Sequence, residues 1–211
     1  MSLLSSHPQI ACDGELLKDK RLWPDRLIAG RLERARQKKK LAYGFKLQPE
    51  HLDNIQHMAS ANAWVQTMAA QGWKVIRLSR RNRLYQAISA VRIETMDAHY
   101  RAGKGGAFEP VAIDPFYLKA MMCFIGFTEN QITQQLEGID YLDISYEDGL
   151  EKPEAQSGTV AEICGLLGLE PAPVSSSFVR ISPTRLRDMV TNYDEIAAEF
   201  RRDQFIDYLT D

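Results

Sequence analysis

Apolar residues recur along the chain at two spacings, and the alternation between them sets the expected elements. Short apolar runs at Leu41–Leu47 (LAYGFKL), Lys74–Leu78 (KVIRL) and Tyr141–Ser145 (YLDIS) read as three strands, each followed by a helical stretch. Within Pro49–Gln71, Leu52, Ile55, Ala59 and Ala63 fall at helical spacing, as do Leu84, Ala87, Ile88, Val91 and Thr95 within Arg83–Tyr100. Ile113–Leu136 is helical in pattern with an inner break at Gly126, where Thr128 would cap a new start. Gly158–Leu167 and Thr184–Phe200 read as two further helices, parted by Pro171, Pro173 and a serine run that no helix crosses. Gly103–Pro110 reads as a mobile loop. Strands alternating with helices predict a layered α/β domain with mainly parallel strand pairs and right-handed crossovers.

Composition narrows this picture more than it extends it. With 45% hydrophobic and 26% charged residues, the 211-residue chain suits one globular domain over 1–211 with a sizeable core. A net charge of −2 and a pI near 6.1 give no global pull toward nucleic acid or an anionic membrane, so an anionic ligand needs a local cluster. Cys12, Cys123 and Cys164 lie far apart, without the spacing of a disulfide framework or a zinc site. No signal pattern opens the chain and no apolar run approaches the roughly 20 residues that span a bilayer, so a reduced, cytoplasmic protein is the expectation. His51, His57 and His99 form no metal-ligand pattern, and no metal is assigned. Arg31–Lys40 (RLERARQKKK) reads as a solvated helix face. Gly103, Gly105 and Gly106 with Lys104 lack the spacing of a P-loop.

The most informative stretch is Lys74–Ser89, KVIRLSRRNRLYQAIS, which runs an apolar strand through a basic turn into a helix. A helix start presents unbonded N–H groups and partial positive charge, and Arg80, Arg81 and Arg83 add full charges, which suits a phosphate. The plain alternative is a solvated arginine cluster. Arg81 and Ser89 lie about 12 Å apart along a continuous helix, so they share one phosphate only if Arg81 reaches back from the turn.

R-N-x-x-x-x-x-x-S after an apolar strand resembles the element by which sulfotransferases hold the 3′-phosphate of 3′-phosphoadenosine 5′-phosphosulfate (PAPS), with Arg81 and Ser89 on its key positions. The proline usual after that Arg-Asn pair is replaced by Arg83. Leu3–Leu17, LLSSHPQIACDGELL, resembles the segment after the phosphate loop in tyrosylprotein, carbohydrate and nodulation-factor sulfotransferases, through its His-Pro and Gly-Glu pairs. There a glutamate at the position of Glu15 is the proposed base for the acceptor hydroxyl, a role that partial desolvation favours by raising basicity; the alternative is an exposed helix-start carboxylate. His7 reads as structural. From Ile144 onward, ISYEDGLEKPE, ICGLLGLEP and VRISPTRLRDMVTNYDEIAAEF are similar to the closing cues of many sulfotransferases. That resemblance implies Tyr146 beside the adenine and Arg180 over the cofactor phosphates; a core tyrosine and a loop-surface charge are the alternatives. It also sets Lys46 on the strand where cytosolic members carry a lysine and then a catalytic histidine. Gln48 stands at that histidine's place, which favours Glu15 as base.

The resemblance implies a P-loop nucleotide kinase-like α/β fold and transfer of a sulfonate from PAPS to a hydroxyl acceptor such as a glycan, a lipid or a tyrosine. It also implies an opening strand and an Arg-x-Gly-Ser/Thr-Ser/Thr loop that cradles the phosphosulfate. Nothing of the sort precedes Leu3, so the expectation is a domain lacking its first strand and loop: either the start lies further upstream and a full enzyme exists, or this is a shortened relative that binds poorly and catalyses nothing. Strand edges left unpaired by that loss would be met by closure of the sheet or by a homodimer. The competing readings are a non-catalytic nucleotide-binding or interaction module and a different phosphate-transfer enzyme on the same layered fold.

Overall fold

The computed structural model describes residues 1–19, 23–95, 108–176, 183 and 185–209. The backbone divides into two compact units, Met1–Ser79 with Gln131–Ser177, and Arg80–Asn130 with Phe178–Asp211.

The first unit holds two pairs of parallel strands. β1 (Ile10–Glu15) pairs with β2 (Ala42–Lys46), and β3 (Val75–Ser79) with β4 (Tyr141–Ser145). The protein is thus a mixed α/β molecule with parallel pairing, and among the described residues the strands form two separate two-stranded sheets. The three strands read from sequence lie where expected. β1 was not foreseen: CDGE makes its carboxyl half polar, and a β-bulge between Asp13 and Glu15 breaks the alternation that would mark a strand.

Helix α1 (Ser2–Ser6) leads into β1, and α2 (Pro24–Gln37) crosses to β2 with Pro24 at its first turn. Helix α3 (Ala61–Ala70) starts at Ser60, whose side chain accepts from Ala63 N at 3.1 Å, and leads toward β3. The single helix expected over Pro49–Gln71 is corrected here. His51–Ile55 forms one wide π-type turn, His57 takes φ 53°, and the Ser60 cap begins a new helix. One apolar cluster beneath both strand pairs joins Leu17, Leu52, Ala61, Val65 and Ile139 with Phe45 and Val75. After β4 come the short α6 (Tyr146–Gly149) and α7 (Pro153–Leu167), which packs Val160 and Cys164 on Ile10. The Leu-Gly-Leu cue is the end of α7. Gly168 takes φ 67°, and Leu169 N donates to Cys164 O at 2.8 Å, a left-handed cap that glycine makes without strain.

The second unit is helical. Helix α4 (Arg83–Thr95), the first part of α5 (Pro115–Gln135) and α8 (Tyr193–Phe200) share a core of Leu84, Ile88, Leu118, Met122, Ile196 and Phe200. The break expected at Gly126 does not occur: α5 runs through it, and Gly126 lets the Arg83 guanidinium lie against the helix, since a Cβ there would sit 3.2 Å from Arg83 Nη1. The helix expected over Thr184–Phe200 is a 3₁₀ turn at Leu186–Asp188 followed by α8. Residues 96–107, and with them most of Gly103–Pro110, lie outside the described residues.

Candidate functional site

β1 and β2 end side by side, and their carboxyl ends gather the chemistry of the first unit. The bulge at Gly14 brings Glu15 opposite Lys46, and Lys46 Nζ donates to Glu15 Oε1 at 2.8 Å. Glu15 therefore closes a strand and is not a helix-start carboxylate. Its pKa is lowered, first by that hydrogen bond and then, against partial desolvation, by the charge of Lys46, the Gln48 side chain and His51. This reverses the expected gain in basicity, because the neighbour that fixes the carboxylate is a cation. Glu15 is deprotonated at neutral pH and free to accept a proton, but it is a weaker base than an isolated glutamate.

A cavity of about 230 Å³ opens beside the pair, lined by Asp13, Glu15, Lys18, Asp19 and Arg31 among others. Asp13 organises its wall, accepting from Tyr43 Oη at 2.8 Å and facing Arg31 Nε at 3.7 Å. Desolvation and the bond to Asp13 hold the Tyr43 phenol well above its ordinary range, so it stays a donor. Three carboxylates against two cations make this cavity a poor seat for an anion and a good one for hydroxyl groups. A second cavity of about 410 Å³, lined by Asp25, Ser60, Trp64 and Thr67 among others, holds none of the candidate catalytic or cofactor-binding residues.

Arg81 belongs to the second unit, exposed in the turn ahead of α4, and Ser89 is half-buried two turns into that helix. Asn82, between Arg81 and the helix, is the cap: its Oδ1 accepts from Tyr85 N at 3.1 Å. An asparagine in the Arg-Asn pair thus has a structural reason, and it fixes where the helix starts relative to Arg81. Arg83, counted with the basic cluster, has another employment. Its Nη2 lies 2.6 Å and its Nε 2.8 Å from Glu129 Oε2, with Tyr208 Oη 3.5 Å from Nη1. Helical phase sets Ser89 on the flank of the buried face of α4, beside Tyr85 and Arg92.

Tyr146 opens α6 at the carboxyl end of β4, half-buried, its carbonyl accepting from Leu150 N and Glu151 N. Arg180 lies outside the described residues. Of the sequence-derived residues, the structure joins Glu15 with Lys46 in the first unit, where Tyr146 also lies; in the second it places Arg81 in the turn ahead of α4 and Ser89 two turns into that helix.

Sequence reasoning missed the service of His51 and Gln48 beside Glu15 and the Asp13–Tyr43–Arg31 wall, whose members lie up to 30 positions apart. His7 is structural, as expected. It is buried, its Nδ1 accepts from Gln9 N at 3.2 Å, and that acceptor role leaves the proton on Nε2, which donates to Glu170 O at 3.2 Å. Among the described residues no three His, Cys, Asp or Glu side chains gather as a metal would require, and no helix is long and apolar enough to cross a membrane. No protein-family model, no curated protein and no solved structure matches the chain.

Proposed function

We propose that the chain is a PAPS-dependent sulfotransferase domain that moves a sulfonate to a hydroxyl acceptor. The observation that carries this reading is Glu15, held at 2.8 Å by Lys46 at the carboxyl ends of a parallel strand pair, beside a cavity walled by carboxylates. Carboxyl ends of parallel strands are where α/β proteins place their ligands, and a carboxylate wall accepts from the hydroxyls of a polyol or glycan.

In this reading an acceptor hydroxyl attacks the sulfur as its proton passes to Glu15. The S–O bond to the 5′-phosphate breaks, and the electron pair leaves on adenosine 3′,5′-bisphosphate. Lys46 gives the pair a second function. An arriving sulfonate draws its ammonium away, and Glu15, relieved of the cation, gains basicity when the donor is in place. The resemblance gives Arg81 and Ser89 the 3′-phosphate, and gives Tyr146 and Arg180 the adenine and the phosphates. Arg81 fits that role on charge and place, exposed one residue before the cap of α4. No described residue is assigned to the 5′-phosphosulfate. Parallel pairing in both strand pairs over one apolar cluster is consistent with a P-loop nucleotide kinase-like α/β fold.

The lowered pKa of Glu15 favours a second reading, a nucleotide-binding module without catalysis. Incubation with PAPS carrying a labelled sulfonate and a panel of polyol, glycan and phenol acceptors separates the two. Label in an acceptor is the expected result; nucleotide binding without transfer to any acceptor supports the module, and neither binding nor transfer removes both.

A further inference from the structure

Helix α5 is apolar on two opposite sides, and the described residues cover one. Leu118, Met122 and Ile125 are buried in the core of the second unit. At 100° per residue the opposite side carries Phe116, Ala120, Cys123 and Phe127, with Phe124 alongside. Phe116 is 68%, Phe124 62% and Phe127 57% exposed, and Ala120 and Cys123 are also exposed. A helix apolar all round is ordinarily enclosed on all sides, and large aromatics clustered in water mark an interaction surface.

The pattern of the stripe indicates its occupant. Phe116, Ala120, Cys123 and Phe127 follow steps of four, three and four residues, which read the same in either direction, with a large ring at each end and small side chains between. Two such helices laid antiparallel across a two-fold axis bring Phe116 of each copy against Phe127 of the other, while the small centre lets the backbones approach. This is the self-complementarity that an isologous contact requires. The nearest charge on α5, Lys119, lies with its Nζ 5.8 Å from the Phe116 ring centroid and is neutralised by Glu199 and Asp203, while Glu129 is engaged by Arg83.

We propose that the Phe116–Phe127 face of α5 is a homodimer interface. Its size sets the strength. Three rings about 60% exposed offer roughly 350 Å² of apolar surface per copy. With homodimer contacts about 65% apolar, this corresponds to roughly 1,100 Å² in all, the range of weak, reversible association. The inference is independent of the sulfotransferase reading.

Sedimentation equilibrium of the whole chain tests it, with Phe124→Lys and Phe127→Lys as variants; both positions are exposed, and an unchanged thermal melt shows that the fold survives. The wild type is expected to dimerise in the micromolar range, and each variant to weaken the dimer at least tenfold. A short bismaleimide is expected to link copies through Cys123, with the product absent from Cys123→Ser. A wild type that stays monomeric at several hundred micromolar overturns the proposal, as does a dimer untouched by both lysines. So does capture of the wild type, still monomeric, by neutral lipid vesicles, which would assign the face to a lipid surface.

Discussion

Glu15→Gln is expected to lower sulfonate transfer by about 10²–10⁴-fold, the range for loss of a positioned proton acceptor, with little change in nucleotide affinity or melting temperature. The amide keeps the shape and can still meet Lys46, but it cannot take the acceptor's proton. The sign of the pH dependence follows from the lowered pKa of Glu15. In the free protein the group stays ionised through neutrality, so the acid limb of the kcat/KM profile falls below the ordinary glutamate value of about 4.3. Lys46→Met removes the first cause of the lowering, and the limb is expected to move up in pH. The same shift makes a small contribution to stability, present above the unfolded pKa and lost as pH falls through the folded one. With 37% of the Glu15 and 46% of the Lys46 side chain exposed, water screens the pair, and the contribution stays below about 1 kcal/mol. A Glu15→Gln protein with wild-type turnover would take the base role away from this residue.

Asn192→Ala is expected to be a costly polar substitution in the second unit. Asn192 Oδ1 accepts from Ile113 N at 3.0 Å, while Nδ2 donates to Ile113 O and to Glu195 Oε2, each at 2.9 Å. One side chain thus satisfies both backbone groups of the buried Ile113, beside the Val111–Val190 bridge, from the residue that precedes α8. Alanine leaves that donor and acceptor without their partner, a loss of about 2–6 kcal/mol at 1–3 kcal/mol per group. Asn192→Asp keeps the acceptor, loses the donor and faces Glu195 with like charge, so it should fall between. Urea unfolding measures both, and a loss under about 0.5 kcal/mol for the alanine variant would show that the clamp is dispensable.

The Asn-Tyr-Asp-Glu segment was read from sequence as a family cue, and the structure gives its asparagine a packing reason. The same holds for Leu-Gly-Leu, which ends α7 at a left-handed glycine, and for Asn82, which caps α4. β2, β3 and β4 were legible because their runs are apolar and bounded by helical patterns. β1 was hidden because its polar half is bulged and half-exposed. The partners of the charged residues were not legible at all. Lys46 lies 31 positions from Glu15 and Glu129 lies 46 from Arg83, and only the folded chain brings them together. Those two pairings change the chemical reading most. One lowers the basicity expected of Glu15, and the other ties Arg83 to Glu129, leaving Arg80 and Arg81 of the basic turn, of which the proposal gives Arg81 the 3′-phosphate.

That assignment is the claim on which the functional account depends. Calorimetric titration of adenosine 3′,5′-bisphosphate into the wild type and Arg81→Ala tests it. The account predicts saturable binding that weakens by about 10- to 100-fold in the variant, as loss of a charge-assisted hydrogen bond of 1.5–3 kcal/mol requires. Equal affinity in the two proteins, or no preference of the wild type over adenosine 5′-monophosphate, would contradict it.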